Sequence, residues 1–136
     1  MYKSKIILML LIISATALVS CAQQKTAEQK QIKEKASMTV AELREEMKTD
    51  SNLVILDVRT PAELTGPLGH IEGVVNIPVQ VLEQRIHELD KYKDKNIAVI
   101  CRSGNRSGIA TPILIEHGFK ATNVLGGMIA YNKLKK

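Results

Sequence analysis

Hydrophobic residues in this chain fall into three patterns. The first is a block: residues 1–5 carry Lys3 and Lys5, and residues 6–18 are then almost unbroken apolar sequence. The second is a series of short continuous runs with β-branched members, at 52–57, 73–78, 96–101 and 122–125. Runs that are apolar at successive positions predict strands buried on both faces, the mark of a parallel sheet. The third is helical spacing. Thr39-Val-Ala-Glu42 is a capping box ahead of Leu43 and Met47, which predicts a helix from Val40. Thr60-Pro-Ala-Glu63 is a second box with Pro at the first helical position, followed by a loop at Gly66, Pro67 and Gly69. Val79, Leu82, Ile86 and Leu89 form one stripe and predict a helix over 79–89. Residues 107–117 read as a helix stopped by Gly118, with Pro112 expected to kink it or shorten its first part. After Gly126-Gly127, residues 128–134 read as a closing helix.

Strand and helix patterns alternate, so the expected class is α/β, with a mainly parallel central sheet of about five strands and helices on both faces. No internal repeat is visible. The globular pattern starts at Met38, giving a single domain over 38–136. The segment before it, residues 22–37, reads AQQKTAEQKQIKEKAS and has Ile32 as its one strong hydrophobe. Such a stretch buries too little apolar surface to offset its ordering entropy, so residues 21–37 are expected to be a polar tether.

The N-terminal block is an address rather than a core element. A charged start and an apolar run of about 13 residues suit a secretory signal peptide over residues 1–20 and are too short to span a bilayer comfortably. The run ends at Leu18-Val19-Ser20-Cys21, which resembles the bacterial lipobox. That resemblance implies cleavage before Cys21, lipid on its thiol and a cell-envelope, periplasm-facing protein. Ala22 at the next position leans toward the outer membrane. The formal charge of the chain is +5. Removing residues 1–20 takes away two lysines and no acid, leaving +3, too weak a field to argue for nucleic acid. With no Trp and one Phe, a base-stacking platform is excluded as well. A monomer is expected.

The chain has two cysteines, and lipid on Cys21 would leave Cys101 without a partner. A lone thiol in an exported protein is a liability unless it is buried or used. Cys101 stands where a buried strand runs into Arg102-Ser103-Gly104-Asn105-Arg106 and a helix opens at Ser107. Open α/β sheets build their sites beyond the carboxyl ends of strands. Amides of a tight turn, the start of a helix and two guanidinium groups would all favour a thiolate and any anion beside it. No Met, Cys or His grouping has metal-site spacing.

Three segments together resemble the rhodanese-like (sulfurtransferase) family. Asp57-Val-Arg-Thr-Pro-Ala-Glu63 is similar to its D-V-R-x-x-x-E segment. Gly69-His-Ile-Glu-Gly-Val-Val-Asn-Ile-Pro78 is similar to G-H-I-x-G-A-x-x-I-P, with Val74 where Ala is usual. Cys101-Arg-Ser-Gly-Asn-Arg-Ser107 is similar to the active-site loop C-x-x-G-x-R-S. The resemblance covers about residues 38–136. It implies a rhodanese-like fold and a thiosulfate sulfurtransferase in which Cys101 accepts a sulfane sulfur as a persulfide. Arg102, Ser103, Gly104, Asn105, Arg106 and Ser107 would cradle that sulfur, and the two arginines would attract a thiosulfate-like donor. Cyanide or a thiol would then take the sulfur, with no cofactor or metal. The alternative is a persulfide relay module with little small-molecule turnover.

The residue count separates the nearest rival. Phosphatases with a Cys nucleophile use C-x5-R, whereas Cys101 to Arg106 is C-x4-R, a smaller ring better suited to sulfur. Asp57 and Arg59 are expected to form an ion pair that fixes neighbouring loops. Glu63 would pair with Arg59 or stay solvated, and His70 would hold a loop rather than act as a base.

Overall fold

A computed structural model describes residues 36–134. The signal, lipobox and most of the tether reading lie outside the described residues. Five strands form one sheet: β1 Ser37–Met38, β2 Leu53–Asp57, β3 Val75–Asn76, β4 Asn96–Ile100 and β5 Lys120–Val124. Their order is β1-β5-β4-β2-β3, and every pairing is parallel. The α/β reading therefore stands, and the count of five includes a strand that the pattern did not reveal. β1 is two residues long and begins at Ser37, inside the polar segment. Its hydrogen bonds come from the neighbouring strand and the residue after it, with Asn123 N–H donating to Ala36 O (2.8 Å) and Leu125 N–H to Met38 O (2.8 Å).

Side chains alternate across the sheet. In β4, Ile97 and Val99, with Cys101 after them, join one apolar cluster with Leu82, Leu89, Ala110 and Leu114. Ala98 and Ile100 face the other way, into a cluster with Val40, Leu43, Met128 and Tyr131. Helices therefore cover both faces. α1 Val40–Thr49 and α5 Gly127–Lys133 lie on one side; α3 Leu82–Arg85 and α4 Asn105–Glu116 lie on the other. α2 Pro61–Leu64 is a single turn beyond β2.

The Thr39 box forms as read: Glu42 N–H donates to Thr39 Oγ1 (3.2 Å) and Thr39 N–H to the Glu42 carboxylate (2.6 Å). Three expectations need correction. Residues 79–92 are not one helix but 3₁₀ turns at Val79–Val81 and Ile86–Tyr92 around α3. The three-residue steps from Val79 to Leu82 and from Ile86 to Leu89 stack on one edge of a 3₁₀ turn, and they bury Leu82 and Leu89 completely. α4 starts at Asn105, two residues early, because Gly104 already serves as its N-cap at φ +98°. It also runs through Pro112 to Glu116, so of the two effects expected of the proline the shortening does not occur. Its end is as expected: Gly118 at φ +83° closes a Schellman pattern, with Phe119 N–H donating to Leu114 O and Gly118 N–H to Ile115 O.

Topology puts the site where it is. β2 and β4 are neighbours, yet β2 connects outward to β3 while β4 connects the opposite way, to β5. That reversal opens a crevice at the carboxyl ends of β2 and β4, which are Asp57 and Ile100. No helix among the described residues is long and apolar enough to cross a membrane.

Candidate active site

The two loops that leave β2 and β4 meet in this crevice. Cys101 follows β4 directly and is 1% exposed. Its Sγ accepts hydrogen bonds from Gly104 N–H (3.1 Å) and from the Ser107 hydroxyl (3.3 Å). Burial pushes the thiol's pKa up. The Ser107 hydroxyl and the amides of Ser107, Ser103 and Gly104 outweigh it, and the net position is below the ordinary thiol value. The loop thus turns amides inward around the sulfur, and Gly104 makes the turn possible. Its φ of +98° suits glycine, and a Cβ there would stand 3.1 Å from Gly126 N. Ser107 sits in the first turn of α4, wholly buried, and its hydroxyl also contacts Gly104 O (3.2 Å).

The loop after β2 is braced by Asp57 and Arg59, 0% and 1% exposed. Arg59 Nη2 donates to Asp57 Oδ2 (2.7 Å) and to Gly69 O (2.8 Å), and Nη1 donates to Glu63 O (3.3 Å). A buried charge pair needs this full set of hydrogen bonds to offset its desolvation. The pair therefore ties residues 57–69 together, the loop-fixing arrangement read from the sequence. His70 is exposed, and its Nδ1 contacts Leu64 O (3.1 Å).

Glu63 departs from its expected partner. Its carboxylate takes Arg106, not Arg59, in a bidentate pair (Nη2–Oε1 2.6 Å, Nη1–Oε2 2.7 Å), and it also accepts from Thr60 N–H (3.2 Å). The Arg106 hydrogen bonds hold its carboxyl well below the ordinary range, at about 2. The two residues are 43 positions apart, so no local signal reveals the pairing. Arg106 is correspondingly engaged, whereas Arg102 is exposed and makes no ion pair among the described residues. Ser103 and Asn105 are exposed at the loop's outer edge.

Beside the loop lies a cleft of about 490 Å³, lined by the charged Arg102, Arg59 and Glu63 and by the apolar Pro67, Leu68 and Ile129. Sequence reasoning missed Leu68 and Ile129, which read as ordinary apolar positions, and it missed what the Gly126-Gly127 pair does. No grouping of His, Cys, Asp and Glu that could hold a metal occurs among the described residues.

A family model for the rhodanese-like domain matches residues 39–134. The chain belongs to the rhodanese-like domain family. Among its relatives, YtwF of Bacillus subtilis is 39% identical over 94 residues, spanning 69% of this chain and 87% of the relative. The thiosulfate sulfurtransferase PspE of Escherichia coli is 34% identical over 82 residues, 59% of this chain and 77% of that protein. The crystal structure of a rhodanese-related protein from Thermoplasma volcanium superposes with a TM-score of 0.65 at 35% identity, covering 73% of this chain and 92% of that one. Several relatives are named sulfurtransferases, and others carry the names of a sulfur carrier protein and of tRNA uridine(34) hydroxylases.

Proposed function

We propose that this protein is a thiosulfate-type sulfurtransferase with Cys101 as the sulfur carrier. The observation that carries the reading is the Cys101 Sγ held by the Gly104 amide and the Ser107 hydroxyl, in a loop whose Arg102 lines a cleft and makes no ion pair among the described residues. Arg102 draws a dianionic donor to the loop. The Cys101 thiolate attacks the outer sulfur of thiosulfate, the S–S bond breaks, and its electron pair leaves with sulfite. The persulfide's terminal sulfur is then an anion that the loop amides stabilise as they did the thiolate. A second nucleophile takes that sulfur and regenerates the Cys101 thiolate.

The rival reading, hydrolysis of a phosphate ester, needs a cation aimed at the transferred oxyanion. Here the loop is the shorter C-x4-R, and its closing Arg106 is paired with Glu63 rather than turned to the ring, which favours sulfur. The apolar part of the cleft's lining favours a thiol with an organic body over cyanide as acceptor, and so fits a relay to a larger carrier as well as simple turnover.

The test uses the unlipidated chain from Ala22 onward. Thiosulfate treatment adds about 32 Da to intact protein, at Cys101. Cyanide then gives steady thiocyanate, and Cys101→Ser abolishes both. A mass gain with thiols but not cyanide discharging it supports the relay; no mass gain on wild type overturns sulfur transfer altogether.

Export and lipid anchoring in the cell envelope through Cys21 belong to the same proposal. They are supported by the lysine-led apolar block and the Leu18–Cys21 segment. Cys21→Ala should leave the precursor uncleaved and unlabelled by a palmitate analogue, and normal processing of that variant would refute the anchor.

A further inference from the structure

The sulfur site has a support that neither the motifs nor the family assignment explains. The amides of a loop point inward only if the loop's carbonyls point outward, because a trans peptide plane sets C=O and the following N–H in opposite directions. Outward carbonyls need partners where the site is buried. Here α5 supplies them. Met128 N–H donates to Cys101 O (2.8 Å) and Ile129 N–H to Arg102 O (3.0 Å). The carbonyl of Cys101 belongs to the same plane as the Arg102 N–H, and that of Arg102 to the same plane as the Ser103 N–H.

For α5 to come that close, the residue at its start must have no side chain. Gly127 is buried at φ +52°. A Cβ on it would collide with the carbonyl oxygen of Cys101 and stand 2.7 Å from both Arg102 C and Ser103 N. All three are backbone atoms of the loop, so no side chain can swing aside and the loop itself has to move.

We propose that Gly127 is a positioning residue: its bare Cα lets α5 seat against the 101–103 backbone, where the Met128 amide anchors Cys101 O and the Ile129 amide, by holding Arg102 O, turns the Ser103 N–H toward Sγ. The requirement is steric closeness as well as backbone conformation. Gly118 separates the two effects, since it also has positive φ (+83°) but nothing within 4 Å of where a Cβ would stand. Gly118→Ala therefore carries a comparable backbone strain with no intrusion on the loop.

The experiment follows iodoacetamide alkylation of Cys101 against pH in wild type, Gly127→Ala and Gly118→Ala, with circular dichroism and thermal midpoints in parallel. Gly127→Ala should move the alkylation midpoint up by about 1 unit and slow persulfide formation from thiosulfate about tenfold. Gly118→Ala should lose comparable thermal stability and keep the wild-type midpoint. If Gly127→Ala does not fold, Ile129→Pro decides. It removes the N–H that holds Arg102 O, in the first turn of α5 where proline is tolerated, and adds nothing at 127. An upward shift there supports the proposal. A folded variant of either kind with the wild-type alkylation midpoint overturns it. The inference rests on Cys101 as sulfur carrier, and the two fail separately: the wild-type mass gain reads the sulfur chemistry, and the variant midpoints read the support.

Discussion

Ser107 shows how much one side chain can do in this site. Its hydroxyl donates toward Cys101 Sγ at 3.3 Å, it is wholly buried, and it is the foremost of the groups that offset the burial of the thiol. A hydrogen bond to a charged acceptor contributes about 1.5–3 kcal/mol. Ser107→Ala should accordingly raise the alkylation midpoint of Cys101 by about 1 unit or more, at 1.36 kcal/mol per unit. Stability should change little, because Gly104 O keeps the Gly108 N–H as a partner (3.0 Å). A pH series of iodoacetamide rates with a urea titration checks both parts, and an unmoved midpoint would deny the hydroxyl any role in holding the thiolate. Residues of this kind were legible in the sequence because their contacts are local: Cys101, Gly104 and Ser107 lie within one turn. Gly127 was not, since its contact with the loop crosses 26 positions and a glycine pair reads only as a break.

Between elements, the Glu63–Arg106 pair joins α2 to the start of α4 and so ties the loop after β2 to the loop after β4. The second capping box had marked Glu63 as a helix-start residue, which it is. Its larger role depends on a partner that only the β2–β4 adjacency brings near. The pair has a pH signature. Glu63 falls from an ordinary 4.5 to about 2 in the folded chain. Between those values the unfolded chain binds the proton and the folded chain does not, so stability rises with pH there. The contribution is fully present above about 4.5 and is lost as pH falls through about 2. With the two side chains 28% and 32% exposed, solvent screening reduces it to about 1–2 kcal/mol. Urea midpoints taken between pH 5 and pH 2 should fall less steeply in Glu63→Gln than in wild type. Parallel curves for the two proteins would mean that the pair adds nothing to stability. The stretch at 79–92 marks the opposite limit of legibility. Its apolar stripe was real, but spacings of three and four residues fit α and 3₁₀ turns alike, and only packing under β3 and β4 selects between them.

At the scale of the whole molecule, the edge of the sheet and the sulfur site belong to one chain of contacts. β1 pairs with β5, β5 leads through Leu125 and Gly126 into α5, and α5 holds the Cys101 loop. The α/β class and the strand–loop–helix position of Cys101 followed from pattern alone, because buried parallel strands are continuous apolar runs. β1 escaped because two residues carry no period, and Ser37 looks like more of the polar segment before it. Its weight is nonetheless structural: Met38 is 8% exposed within the second apolar cluster, and the amides of Asn123 and Leu125, in and just after β5, end on Ala36 and Met38. A chain starting at Thr39 loses the buried Met38 side chain and leaves those two amides without their partners. Losses of this kind cost about 2–4 kcal/mol together. Compared with a chain starting at Ala36, it should unfold at a clearly lower urea concentration with a similar slope, since most of the exposed surface is shared. Equal midpoints would show that the sheet effectively ends at β5 and that the fold begins with the Thr39 cap. A lowered midpoint would place the true start of the domain inside the segment whose composition is that of a linker.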